Sequence, residues 1–203
     1  MKKISLLGLA ACALAVLAAG TAFAAVINGT RHNELLGGTP KDDVIRGKGG
    51  NDVLGGNRGD DRLFGGAGND QMAGMRGADV LKGGPGSDRI YEYDVSALLA
   101  ARGMSGFPDL PGNDRVFGGG GPDLVYASGG RDVVNGGSGS DHLDLGPGED
   151  KASGGAGNDY IVADDGKRDV IACGPGDDLV RADSLDRYAK DCETIELVAG
   201  EGA

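Results

Sequence analysis

Between residues 38 and 91 the chain repeats itself every nine residues without a slip. Gly38, Gly47, Gly56, Gly65, Gly74 and Gly83 open six units, and Asp43, Asp52, Asp61, Asp70, Asp79 and Asp88 hold position six of each. Position eight is always apolar: Ile45, Leu54, Leu63, Met72, Leu81, Ile90. The unit is G-x-x-G-x-D-x-U-x, with U apolar. A beat this regular excludes most folds at once, because each unit must take the same local shape and bury its one apolar side chain against its neighbours.

The first six positions, rich in glycine with Asn or Asp at position five, read as a turn with unusual backbone angles. The last three read as a very short strand whose middle side chain points inward. One apolar residue in nine cannot build an ordinary core. It can line a parallel coil in which strand, turn, strand, turn completes one lap in eighteen residues. Units of equal parity then stack about 4.8 Å apart. Asp43, Asp61 and Asp79 fall along one edge, and Asp52, Asp70 and Asp88 along the other. Carboxylates about 5 Å apart repel by roughly 3 kcal/mol at an effective dielectric near 20. A ladder of them calls for cations. Ca²⁺ suits it, since it accepts carboxylate and several main-chain carbonyl oxygens in flexible geometry.

The segments GGAGNDQMA (65–73), GGPGSDRIY (83–91), GGGGPDLVY (118–126), GGSGSDHLD (136–144) and GGAGNDYIV (154–162) resemble the nonapeptide of the RTX, or haemolysin-type, calcium-binding repeats. The resemblance implies an all-β fold, a right-handed parallel β-roll with eighteen residues per coil and several Ca²⁺ ions held between successive turns. Enzymes that resemble this family carry their catalytic domain outside the repeats.

Around the first array, residues 1–24 read as a secretory signal: Lys2 and Lys3, an apolar stretch from Ile4 to Leu17, and Ala22-Phe23-Ala24 as an A-x-A cleavage site. Two alternatives stay open, lipidation at Cys12 and an uncleaved anchor. The protein would meet a membrane only through one of these. Residues 25–91 form the first array, with 29–37 as a degenerate unit in which Glu34 and Leu36 take the Asp and U positions. Residues 92–111 interrupt the beat. Asp94 to Gly103 is expected as a short helix with Asp94 as N-cap, followed by a proline-containing loop. The second array spans 112–181, with Asp114, Asp123, Asp132, Asp141, Asp150, Asp159, Asp169 and Asp178 at position six. Its inward residues are Val116, Val125, Val134, Leu143, Ala152, Ile161, Ile171 and Val180. Residues 182–203 lose the beat and are expected to close the roll. The fourteen aspartates are the candidate metal ligands.

The net charge of −11 becomes −13 once Lys2 and Lys3 leave with the signal, which disfavours nucleic acid and favours cations. Cys173 and Cys192, an even pair in an exported chain, are expected to form a disulfide. His32 and His142 have no partner set for zinc or for a nucleophile, and no G-x-S-x-G elbow or dinucleotide fingerprint occurs. The reading is therefore a secreted, non-catalytic calcium-binding protein. Its rival is a surface adhesion or matrix module in which calcium stiffens a scaffold for a partner. One sheet of the second array should carry an outward stripe (Leu124, His142, Tyr160, Leu179, with Tyr126, Asp144, Val162 and Arg181 beside it), and the insert helix could cover it through Val95, Leu98 and Leu99.

Overall fold

A computed structural model describes residues 23–91 and 112–198. The strands are β1 (Val26–Asn28), β2 (Leu35–Gly37), β3 (Val44–Gly49), β4 (Val53–Arg58), β5 (Arg62–Ala67), β6 (Gln71–Arg76), β7 (Val80–Pro85), β8 (Arg89–Tyr91) and β9 (Arg115–Gly120). They continue with β10 (Leu124–Tyr126), β11 (Val133–Ser138), β12 (His142–Asp144), β13 (Lys151–Ala156), β14 (Tyr160–Ala163), β15 (Val170–Ala172), β16 (Leu179–Ala182), β17 (Arg187–Tyr188) and β18 (Thr194–Leu197). Odd-numbered strands form one nine-stranded sheet, A, and even-numbered strands the other, B, each stacked in chain order. Every pairing is parallel. The molecule is the β-solenoid expected from the beat, and the described residues contain no helix.

Alternation along each strand fixes what faces inward. All fourteen position-eight residues of the two arrays are buried, and in-register pairs such as Ile45↔Leu63 and Met72↔Ile90 stack them into a continuous core. Position six has the same parity, so the aspartates point inward as well. Turns close through left-handed backbone: Gly68 has φ of 136° and Gly86 147°, angles closed to a residue with a Cβ.

The interruption at 92–111 does not break either sheet. β7 pairs directly with β9 (Val80↔Arg115) and β8 with β10 (Arg89↔Leu124), so the stack continues across it. The helix expected at 94–103 and its proposed cover over the stripe lie outside the described residues, as does the signal apart from its last two residues. The extra residue between Asp159 and Asp169 is taken up in the turn after β14. At the C-terminus the chain goes further than closure. β17 and β18 add a strand to each sheet, and Cys173 is bonded to Cys192. At the N-terminus β1 already pairs with β3, ahead of the degenerate unit.

The outer faces differ. On sheet B, Tyr91 and Tyr126 stack with ring centroids 5.8 Å apart, and His142 meets Tyr160 edge-on at 5.0 Å. On sheet A, Arg46 lies 5.5 Å over Phe64 and Lys82 lies 5.1 Å from Phe117. Such contacts are each worth about 0.5–1 kcal/mol when exposed.

Candidate metal centre

Two rows of turns flank the core. Row A leads into the odd strands and carries Asp43, Asp61, Asp79, Asp114, Asp132, Asp150 and Asp169. Row B leads into the even strands and carries Asp52, Asp70, Asp88, Asp123, Asp141, Asp159 and Asp178. All fourteen are buried, none more than 4% exposed. A carboxylate has two oxygens, and here they have separate fates. Oδ1 accepts the main-chain N–H of the aspartate one coil earlier. In row A, Asp43, Asp61, Asp79, Asp114, Asp132 and Asp150 donate in turn to Asp61, Asp79, Asp114, Asp132, Asp150 and Asp169 at 2.6–2.8 Å. Row B does the same from Asp52 to Asp178 at 2.7–2.9 Å. Each aspartate is thus a rung that ties coil to coil.

Oδ2 is different. In Asp52, Asp61, Asp70, Asp79, Asp88, Asp123, Asp132, Asp141, Asp150, Asp159, Asp169 and Asp178 it is buried without a hydrogen-bond partner. A buried, unpaired carboxylate oxygen is costly. Asp43 and Asp114, both in row A, are not among them, and at Asp43 the reason is local. The N–H of Thr39 donates to its Oδ2 and the Thr39 hydroxyl to its Oδ1.

Burial accordingly pushes these carboxyls up. Asp61, Asp114, Asp123, Asp150 and Asp169 rise to about 7, and Asp79, Asp88, Asp132 and Asp141 to about 6. Desolvation is the main cause, and neighbouring carboxylates on the same row add to it in most of them, as Asp79 and Asp43 do at Asp61. The N–H from the preceding coil pulls the other way. Asp52, Asp70, Asp159 and Asp178 shift in the same direction.

Glycine at position one leaves a cradle beside the bare oxygen. A Cβ on Gly47 would overlap Asp52 Oδ2 and lie 2.5 Å from the Gly65 carbonyl oxygen on the next coil. The same holds at Gly65, Gly83, Gly118, Gly136 and Gly154, with the next coil's carbonyl at 2.5–2.8 Å. At positions two and four, main-chain carbonyl oxygens of one coil lie close against the next: a Cβ on Gly66 would run into Lys48 O, and one on Gly68 into Gly50 O. Among the described residues no three His, Cys, Asp or Glu side chains converge on one point. One carboxylate per turn, spaced by a coil, is why. Any cation here takes main-chain carbonyls together with single carboxylates, an all-oxygen set that fits a hard ion of flexible geometry such as Ca²⁺.

Other residues complete the rows from outside the consensus repeats. The N–H of Ala25 donates to Asp43 Oδ1, that of Asp169 to Asp186 Oδ1, and that of Asp178 to Glu193 Oε2. Glu34 N–H donates to Asp52 Oδ1, while its own carboxylate is held by the Thr30 hydroxyl and N–H, which lower its pKa. Position five carries a second, outer ladder. Asn33, Asn51 and Asn69 accept the N–H of Asn51, Asn69 and Ser87 at 2.8–2.9 Å, and Asp42 accepts that of Asp60 at 3.0 Å. The recurrence of Asn and Asp at position five was the signal for it. A ring nitrogen of His32 hydrogen-bonds with the Thr30 hydroxyl at 3.1 Å.

A family model for the RTX calcium-binding nonapeptide repeat matches four stretches, residues 37–72, 64–91, 110–143 and 138–169, together more than half of the chain. No curated protein matches it. With the nonapeptide beat, the parallel coil and the paired aspartate rows in place, the chain belongs to the RTX calcium-binding nonapeptide repeat family.

Proposed function

We propose that this is a secreted, non-catalytic calcium-binding β-roll whose position-six aspartates take up several Ca²⁺ ions between coils, with binding coupled to folding. The observation that carries the reading is the set of buried carboxylate Oδ2 atoms without partners, each beside a turn. When bound, Ca²⁺ would supply the positive charge that the two anionic rows lack. The chain's own part is to hold each carboxylate in line through the N–H of the preceding coil, and to bring carbonyl oxygens to the same gap. Metal energy then becomes folding energy. Export follows from the leader at 1–24, and an extracellular calcium supply matches sites of about 10⁻⁴–10⁻³ M affinity. No catalysis is assigned: His142 packs on Tyr160 and His32 on Thr30. The test is circular dichroism of the mature chain. In EDTA it should show little β signal, gained cooperatively as Ca²⁺ is added. An identical spectrum in EDTA and in millimolar Ca²⁺ would sink the proposal.

One observation favours the adhesion reading as a second. The outward positions of sheet A carry Arg46, Arg62, Lys82, Arg115, Lys151 and Arg187, all exposed, with no acidic residue among them, on a chain of charge −11. A calcium-stiffened face of this kind suits an anionic polymer. Salt-sensitive retention on an immobilised polyanion in Ca²⁺, lost on Arg62→Glu with Arg115→Glu, would support it. Retention that ignores those changes would leave the first reading alone.

A further inference from the structure

The turns are of two kinds, and the difference lies at position one. Through row B, position one is Gly47, Gly65, Gly83, Gly118, Gly136 and Gly154, each with the cradle described above, closely bounded by Oδ2 and a carbonyl and free of any side chain. Row A begins the same way at Gly38 and Gly56, whose added Cβ would meet Asp43 and Asp61 Oδ2 and the carbonyl of Gly56 and Gly74. In the second half of row A, position one is instead Ala127, Leu145 and Ala163, and Ala182 follows one coil later. All four are at most 1% exposed and belong to the core. Cys173 takes the same place in the last turn of row B, ahead of Asp178.

The backbone changes with the side chain. Strands that run into a Gly-Gly turn are six residues long, as in β9, β11 and β13. Those that run into Ala127 and Leu145 stop after three, as in β10 and β12. The carboxylate moves too. A Cβ on Gly148, at position four, would lie 2.7 and 2.8 Å from the two Asp150 oxygens, and one on Gly112 2.7 Å from both Asp114 oxygens, whereas the atoms nearest one on Gly68 or Gly86 are main chain and an Asn side chain. Asp150 therefore sits against position four of its turn, and the space beside position one is filled by Leu145. The coils of this stretch are tied by other groups. Asp165 Oδ2 accepts the N–H of Gly148 at 2.7 Å, and Asp183 Oδ2 that of Gly166 at 2.8 Å. The Oδ2 atoms of Asp132, Asp150, Asp169 and Asp178 are as bare as the rest, so a bare oxygen is common to both kinds of turn. The side-chain-free glycine next to it is not.

Building on the calcium reading above, we propose that Ca²⁺ is taken up along row B as far as Asp159 and along the first half of row A, and not at Asp132, Asp150, Asp169 or Asp178. Apolar side chains and the cystine close those cradles. The C-terminal half of row A is then a metal-independent seam along which the last coils stay joined, with a calcium ladder running down the opposite side of the same coils.

Calcium content per chain, measured after equilibration in buffered Ca²⁺, separates the two kinds of turn. Asp141→Asn and Asp150→Asn each leave an oxygen to accept the N–H of Asp123 or Asp132. Asp141→Asn should lose bound calcium, and Asp150→Asn should bind as much as the parent chain. Equal losses in the two would overturn the proposal. No loss in either would remove the aspartate reading on which it rests, and the proposal with it. Gly136→Ala is the second variant, because it puts a methyl where Leu145 has its side chain on the other row. It should lose calcium as Asp141→Asn does, and a full calcium content in Gly136→Ala would equally overturn the proposal.

Discussion

Gly47 and Gly49 are two residues apart in one strand, and the roll should treat an added methyl at each in opposite ways. Neither has the left-handed backbone that would make a side chain strained. At Gly47 the Cβ would run into Asp52 Oδ2 and lie 2.5 Å from the Gly65 carbonyl oxygen, both fixed by the ladder between coils. Overpacking of this kind costs about 1–3 kcal/mol. Loss of unfolded-state freedom returns about 0.4–1 kcal/mol. Gly47→Ala should therefore destabilise by about 1–2 kcal/mol, before any loss of metal. At Gly49 the nearest atom is the Ala67 carbonyl oxygen at 3.6 Å, an ordinary contact, and Ala67 itself holds the equivalent place on the next coil. Gly49→Ala should stabilise by about 0.4–1 kcal/mol. Urea unfolding of both variants in saturating Ca²⁺ measures the difference. If Gly47→Ala is as stable as Gly49→Ala, the cradle described beside Asp52 does not exist.

Proton binding should oppose metal binding. The folded carboxyls sit at about 6 to 7, above the unfolded value of about 4, so burial favours their neutral form. That contribution is full below about pH 4 and is lost as pH rises through 6 to 7. The calcium-free chain should thus hold more residual β signal by circular dichroism at pH 5 than at pH 8, while the calcium midpoint should worsen as pH falls from 8 to 6; the opposite order in either measurement would refute the linkage. Asp70→Ala should raise the calcium midpoint well above that of Asp42→Ala, since Asp42 only accepts the exposed N–H of Asp60; equal midpoints would mean a wrong register. Replacing Cys173 and Cys192 by Ala opens a loop of sequence separation 19, and should cost about 3 kcal/mol of stability by urea unfolding on the chain-entropy account.

Much of the roll was legible because its period is its structure. Spacing alone assigned the inward row from Ile45 to Val180 and both aspartate rows, and the stacked register follows from it. The parts that escaped do not keep the beat. Asp186 and Glu193 finish the two rows at separations of 17 and 15 rather than eighteen, so only the pairing of β17 and β18 reveals them. The closing of the sheets across residues 92–111 is likewise a matter of strand pairing, which joins Asp79 to Asp114 over a separation of 35. Ala127, Leu145, Ala163 and Ala182 were passed over for another reason. They occupy a glycine position, and their apolar character carries meaning only once position one is seen to face inward beside the carboxylate. The aspartates were found, but the sequence treated them as equals, and the structure divides them by what stands next to Oδ2.

Anomalous diffraction from crystals grown in millimolar Ca²⁺ tests the central claim most directly. The account predicts calcium peaks in the gaps between successive coils of row B, beside the Oδ2 atoms of Asp70, Asp88, Asp123 and Asp141. Peaks confined to exposed carboxylates such as Asp42, Asp60 and Glu149, with none in the gaps, would contradict it.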